Sequence, residues 1–404
     1  MNYKDEALKL HKKLQGKLSI KSKYKLKDKN DLSLLYTPGV AEVCKEIIKD
    51  KEQLYDYTIK SNSVAVISDG SAVLGLGDIG PEAALPVMEG KAILFKEFAN
   101  VDAYPLCIKR NNNKEFIQNV VNLSSSLGGI NLEDIKAPHC FEIEKSLKEK
   151  LNIPVFHDDQ HGTAVVVLAG LINALKLVDK NIEDIKVVIT GAGAAGYAVT
   201  KLLTVAGVNN ITVLDINGVV YKNRRENDKY LNELAKITKQ TNSGELDEVI
   251  VGADVFIGVS TSNVLNKNMV KSMNSKPIIF ALANPDPEID PTDAKEAGAY
   301  IVATGRSDYS NQINNVLAFP GIFRGVLDAS AEEISEGMKL KAAYAIAEIA
   351  QENLNKDKII PDVFNKKIVR EVALACAKEA IDNGLTRKNE SFNKVKEKII
   401  NNLR

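Results

Sequence analysis

The 404-residue sequence has no tryptophan, few cysteines and no net charge, and each shortage removes a class of protein from consideration. Its four cysteines, Cys44, Cys107, Cys140 and Cys376, are scattered with no CxxC pair. That argues against a disulfide scaffold or a thiolate metal knuckle and fits the reduced thiols of a cytoplasmic protein. The 53 basic residues balance 53 acidic ones, so a general affinity for nucleic acid or an anionic membrane is not expected. No uninterrupted apolar run reaches the length of a membrane span, and the first residues, MNYKDEALKLHKK, are too charged to read as a signal peptide. No internal repeat is visible. What remains is 45% apolar residues in a chain long enough for two or three cored domains of ordinary α/β composition.

The stretch Lys186 to Asp215 organises the rest, because it reads as strand, glycine turn, helix and second strand. Val187-Val188-Ile189 is a short β-branched run suited to a parallel strand buried on both faces. It feeds into Gly191-Ala192-Gly193-Ala194-Ala195-Gly196. The first glycine permits the tight turn, the second lets a pyrophosphate approach the backbone, and the third allows the helix to pack close to the strand. The following helix would offer its free N–H groups to phosphates. Asp215, nineteen residues beyond Gly196, ends the next apolar run, where a carboxylate accepts hydrogen bonds from ribose. Asp215 therefore favours NAD over NADP. The basic cluster Lys222, Arg224 and Arg225 reads as a solvated loop in preference to a 2′-phosphate site. A second match to the same pattern, Gly75 to Gly80, is expected to be a loop, because Pro86 interrupts the helix that should follow and no acid closes the next strand.

Elsewhere, polar residues gather at the ends of apolar runs. Tyr36-Thr37-Pro38-Gly39 forms a rigid bend ahead of a helix, and Lys91 lies within the helical stretch that follows Pro86, where a lysine ordinarily snorkels to solvent. Glu133 and Asp134 follow Asn131, which reads as a helix N-cap with two acids complementing the dipole. His157-Asp158-Asp159-Gln160-His161 sits between an apolar strand and the apolar helix predicted over Thr163 to Leu177, a costly place for so many polar groups. The histidines lack the HExxH spacing of a zinc helix, which puts the weight on Asp158 and Asp159. Asn284 lies just past another apolar run, where open parallel sheets bind ligands.

Taken in order, YTPGVAEVCKEI, DGSAVLGLGDIG, EGKAILFK, INLEDI, FHDDQHGTA, GAGAAG, ALANPDPEI and INNVLAFPGIFRG resemble the motifs of the malic enzymes in their compact bacterial form. The resemblance covers nearly the whole chain. It implies oxidative decarboxylation of L-malate to pyruvate and CO2 with reduction of NAD(P)+, with Tyr36 as general acid and Lys91 as general base. It makes Glu133, Asp134 and Asp159 the ligands of Mg2+ or Mn2+, with Asp158 a supporting acid. Asn284 and Asn315 are implied to contact the nicotinamide and the substrate carboxylate. A lysine base must be neutral, which requires its pKa to fall by roughly three units from about 10.4.

The implied fold is α/β: an N-terminal substrate and metal domain over residues 1–160, a doubly wound Rossmann-type nucleotide domain over 161–330, and C-terminal helices over 331–404 packing across both. The lysine-rich stretch before residue 30 is expected to form one or two helices and an oligomer contact, giving a homodimer or larger assembly. Longer family members carry an arginine in the segment that reads Asp69-Gly70-Ser71-Ala72-Val73-Leu74 here, so Ser71, Asn315 and the metal are the candidates for holding the C1 carboxylate. The resemblance to the compact form implies no phosphotransacetylase-like extension of the kind some bacterial members carry. Two alternatives stay open: a malolactic-type enzyme that releases lactate, and a nucleotide-sensing protein without catalysis.

Overall fold

The computed structural model describes residues 3–73 and 75–404. Two parallel sheets dominate it. The first has four strands in the order β2-β1-β3-β4: β1 (Ser63–Ser68), β2 (Asp102–Cys107), β3 (Gly129–Leu132) and β4 (Val155–His157). All are parallel, and every residue of β1, β3 and β4 is buried, which explains their continuous apolar character in place of alternation. The second sheet has β5 (Lys186–Thr190), β6 (Asn210–Asp215), β7 (Gly218–Val219), β8 (Val255–Gly258), β9 (Ile278–Ala281) and β10 (Ile301–Thr304). Their order is β10-β9-β8-β5-β6-β7, and only the two-residue edge strand β7 runs antiparallel. The chain reverses direction across this sheet between β5 and β8, the place where doubly wound folds open a ligand crevice.

One apolar core runs from β1 through the helix Asp158–Val178 and β5 to the C-terminal helices, and a smaller one fills the far face of the second sheet. Helix Asp158–Val178 is apolar enough by composition to cross a membrane, but most of its length is buried inside the fold. The helix Phe319–Asp328 is buried along its whole length. Gly325 lets it approach the helix Lys367–Asp382, since a Cβ there would stand 2.4 Å from the Ala373 carbonyl oxygen.

Three elements differ from the reading of the sequence. Helix Gly80–Ala99 runs straight through Pro86, which forfeits a single hydrogen bond, to the carbonyl four residues back. Asn131 belongs to β3 and caps no helix; Glu133 and Asp134 lie at a strand end, and the next helix begins only at His139. The helix expected from Thr163 starts at Asp158, so both acids of the HDDQH stretch occupy its first turn. At the N-terminus the helices Tyr3–Leu14, Lys29–Leu35, Val40–Lys49 and Gln53–Tyr57 form, and none of the last three buries a residue.

Candidate active site

The carboxyl ends of β1, β3 and β4 lie side by side, and each delivers polar residues to the same place. Glu133 and Asp134 follow β3, and Asp158 and Asp159 follow β4. Ligand oxygens of Glu133, Asp134 and Asp159 all lie within 4.8 Å of one another. Asp134 has a left-handed backbone, φ 54°, held by its N–H donating to Asp159 Oδ2 at 2.8 Å and its carbonyl accepting from Ala72 N at 2.9 Å. Burial, together with the neighbouring Asp159 carboxylate, pushes Asp134 up to about 8, and burial holds Glu133 well above the carboxylate range. Three hard oxygen donors gathered in so little space repel one another when ionised, and a divalent cation would relieve that repulsion.

Lys91 enters this cluster from helix Gly80–Ala99 and does not snorkel. Its side chain is 8% exposed, and its Nζ lies 2.5 Å from Asp158 Oδ2 and 2.8 Å from Glu133 Oε1. It also stands 4.3 Å from the centre of the Phe319 ring. Burial works against the ammonium, but the Asp158 and Glu133 carboxylates outweigh it and hold Lys91 above its ordinary range. The expected fall in its pKa is therefore not what the structure shows; two contacting carboxylates keep the proton on. Asp158 is fully buried, and the Asn315 amide also reaches its Oδ2 at 2.5 Å. Asp158 Oδ1 has no partner, and Gly162 keeps room for it, since a Cβ there would lie 1.9 Å away.

Other expected members stand apart. Tyr36 is 67% exposed on the bend between the helices Lys29–Leu35 and Val40–Lys49, outside the cluster of acids and Lys91. Ser71 is buried and engaged: its hydroxyl donates to Asp69 Oδ1 at 2.6 Å and accepts from Lys136 N at 2.9 Å. It is not a free donor for a substrate carboxylate. Asn284 is half-buried just past β9, its amide 3.5 Å from the Leu282 carbonyl. Pro285 beside it lies 3.8 Å from where a Cβ on Gly75 would be, so the Gly75–Gly80 loop approaches the nucleotide domain as a loop.

Two bracing residues gave little sign of themselves in the sequence. Glu144, in the ordinary-looking run EIEKSLKEK, is buried and gathers the HDDQH turn, accepting from His157 N at 3.3 Å, Gln160 Nε2 at 3.4 Å and His161 Nε2 at 2.8 Å. Burial opposes its charge, but His161 and Lys148 hold it well below the carboxylate range. Burial lowers His161 to about 4, so the neutral ring fits the network, its Nε2–H directed at Glu144 and its Nδ1 accepting from the Lys339 ammonium at 3.1 Å. Arg110, beyond β2, pairs with the buried Asp69 that holds Ser71.

The glycine turn after β5 opens on a cavity of about 630 Å³ lined by Gly191, Ala192, Gly193, Asp215 and Ser260. Gly191 has φ 102°, and a Cβ on Gly196 would lie 1.7 Å from the Gly191 carbonyl oxygen, so both must be glycine. A Cβ on Gly193 would meet nothing within 4 Å, which leaves space for a pyrophosphate against the backbone. The helix Ala194–Val205 starts there with no side-chain cap, its first N–H groups free. Asp215 closes β6 and is gripped by Arg224, whose side chain is 3% exposed. Arg224 is thus buried behind Asp215 and is not solvated, because the Asp215 carboxylate and the carbonyls of Gly218 and Val219 accept from its guanidinium.

A doubly wound domain with a glycine turn, joined to a parallel-sheet domain whose strand ends gather acids and a lysine, defines a two-domain α/β oxidoreductase. Comparison with known proteins narrows the class. Residues 160–382 match the family model described as malic enzyme, NAD binding domain, and residues 15–119 match malic enzyme, N-terminal domain. The bifunctional malic/malolactic enzyme of Bacillus subtilis is 56% identical over 96% of this chain and 95% of its own. The NAD-dependent malic enzyme of Geobacillus stearothermophilus is 56% identical over 96% of this chain and 81% of its own. The crystal structure of malic enzyme from Pyrococcus horikoshii superposes with a TM-score of 0.95 at 46% identity, covering 99% of this chain and 95% of that one. The chain belongs to the malic enzyme family.

Proposed function

We propose that the protein oxidises L-malate and decarboxylates it to pyruvate and CO2, reducing NAD+ in a reaction that depends on Mg2+ or Mn2+. The observation that carries this reading is Lys91, buried between Asp158 and Glu133, beside three acids whose oxygens lie within 4.8 Å. Glu133, Asp134 and Asp159 would hold the cation, and the Gly191–Gly196 turn with Asp215 would hold the dinucleotide. When bound, the dinucleotide would supply the acceptor for the C2 hydride and the divalent cation would supply positive charge to the substrate oxygens.

The protein's own groups handle the protons and the orientation. Lys91 is the group placed to take the C2 hydroxyl proton, and to do so it must first give its own to Asp158 across the 2.5 Å contact, against the hold of the two carboxylates on its charge. Burial holds Asp158 above the ordinary carboxylate range, which suits it to receive that proton. Asn315 fixes the orientation of Asp158, and its second amide hydrogen serves the C1 carboxylate, since Ser71 is engaged. Asn284 orients the nicotinamide. Tyr36 supplies the proton that C3 requires after CO2 departs. We assign residues 1–160 to the substrate and metal domain, 161–330 to the nucleotide domain and 331–404 to helices across both.

The N-terminal arm supports a homodimer. Leu8, Leu14, Leu34 and Ile48 are all more than half exposed there, and a second copy of the chain covering this face would bring Tyr36 to a cleft. The free state of all four cysteines and the balanced charge support a cytoplasmic protein that acts on a small molecule, with no nucleic acid or membrane partner.

The test is NADH formation from L-malate with and without Mn2+, with pyruvate measured as the product; no pyruvate would refute the reading. A second reading, release of lactate, is supported by the name of the Bacillus subtilis relative, and a lactate assay on the same reaction separates the two.

A further inference from the structure

Glu288 is fully buried, bears no part in the chemistry above, and lies seven residues past the end of β9. Its two oxygens are divided between two strands. Oε1 accepts from Ser260 N at 2.9 Å, just beyond β8, and Oε2 accepts from Ala283 N at 3.0 Å, just beyond β9. The Ser260 hydroxyl continues the chain to Thr190 Oγ1 at 3.1 Å, on the last residue of β5 before the glycine turn. The backbone of Glu288 adds a further tie, its carbonyl accepting from Leu265 N at 3.0 Å. The carboxylate thus joins the carboxyl ends of β9, β8 and β5 along the floor of the crevice. It is held close by Gly258, where a Cβ would lie 2.2 Å from Glu288 Cδ.

We propose that Glu288 is a positioning residue for the nicotinamide half of the dinucleotide, setting the spacing between the Ser260 loop and the Ala283-Asn284 turn. Burying a carboxylate is costly, and the residue justifies that cost by a geometry only an acceptor on both sides can satisfy. Both partners are backbone N–H donors. A glutamine of nearly the same shape accepts one and sets its own NH2 against the other, so the strand ends must separate on one side. Asn284 is the residue immediately after Ala283, so any shift there is carried to the nicotinamide contact. Asp215 shares no hydrogen bond with Glu288, and the Gly191 turn is tied to it only at one remove, through the Ser260–Thr190 hydroxyl pair, so the ribose and pyrophosphate end should feel the change less.

This inference rests on the reading that the crevice binds NAD with Asn284 at the nicotinamide, and the experiment separates the two. NADH and ADP-ribose are titrated calorimetrically into wild type, Glu288→Gln and Gly258→Ala, and turnover is measured on the same preparations. We expect Glu288→Gln to raise the Kd for NADH about tenfold and to change that for ADP-ribose less than about twofold. The KM for NAD+ should rise while that for malate stays within about twofold, and the isotope effect with malate deuterated at C2 should change. Gly258→Ala, which displaces the carboxylate without removing it, should act in the same direction and is read alone if the first variant does not fold. Wild-type affinity for NADH in both variants, or equal loss of NADH and ADP-ribose, overturns the positioning role and leaves the nucleotide reading intact. A wild-type protein that binds neither compound overturns both.

Discussion

Lys91 and Asn315 share one oxygen of Asp158: the lysine Nζ and the asparagine amide each stand 2.5 Å from Oδ2, while Oδ1 is buried with no partner. The contact joins the helix Gly80–Ala99, beside the first sheet, to a segment that follows the last strand of the second, so one buried carboxylate ties the two sheets' strand ends together. Lys91→Met should lower kcat by about 1,000-fold, in the range of general acid–base contributions. Mn2+ affinity should change less than about threefold, because the three ligand acids remain. Unfolding should become easier by about 3 kcal/mol, since Asp158 loses its buried counter-ion. Steady-state rates, a Mn2+ titration by electron paramagnetic resonance and urea melts check these in turn; a kcat within tenfold of wild type would remove Lys91 from the chemistry.

Cation binding should strengthen with pH up to about 8. Asp134 is raised by burial and Asp159 to about 8, so the cation-free fold carries a proton there that the unfolded chain releases near pH 4. Between those values the native state binds more protons than the unfolded one, and this group's contribution to stability falls as pH rises towards 8. A cation must displace the proton, so its affinity should climb about tenfold per pH unit between 6 and 8 and level off above. The thermal shift produced by a fixed Mn2+ concentration should accordingly be larger at pH 8 than at pH 6. A flat affinity over that range would mean that the acids are ionised without the metal.

Much of this site was legible because parallel sheets place chemistry at strand ends, and strand ends are local in sequence. Asp159, Asn284 and the glycine turn could each be found beside an apolar run, as could Asp215. What could not be read were pairings across distance. The Lys91–Asp158 contact spans 67 residues, and without it a lysine on an apolar helix reads as a snorkelling side chain. Arg224 looks like loop charge until its nine-residue return to Asp215 is seen. Asn131 followed by two acids mimics a helix start because an N-cap and a polar loop at a buried strand's end use the same residue types. Glu288 was invisible for a different reason: its partners are backbone N–H groups, which leave no residue-type signature.

The Asp215–Arg224 pair sets an expectation for the coenzyme. Asp215 Oδ1 accepts from Arg224 Nη1 at 2.8 Å and from Asn217 N at 2.8 Å, and although burial opposes its charge these donors hold it below the ordinary carboxylate range. It is therefore a fixed anion in the lining of the crevice, and the Nη1–Nη2 edge of Arg224 is committed to it. NAD+ should be preferred to NADP+ by at least about tenfold in kcat/KM, given the cost of opposing like charges. Asp215→Ser should narrow that preference chiefly by improving NADP+. Equal use of both coenzymes by the wild type would show that Arg224 releases Asp215 when nucleotide binds.

Tyr36 poses a separate question, because it stands 67% exposed on an arm whose helices from Lys29 to Tyr57 bury nothing. A phenol in that position cannot protonate a carbon in a closed site of the isolated chain. If the arm docks on a second copy, Tyr36 either folds against its own cleft or reaches the neighbour's, and mixed dimers distinguish the two. Tyr36→Phe and Lys91→Met should each be inactive alone. Dissociated, mixed and reassociated, they should recover about a quarter of wild-type activity if Tyr36 serves the neighbouring subunit. Half the dimers formed at random are then mixed, and each holds one complete site of two. If Tyr36 serves its own subunit, no mixed dimer contains a complete site and the mixture stays inactive. Sedimentation of the wild type as a monomer at assay concentration, with full activity, would instead require Tyr36 to reach Lys91 within one chain.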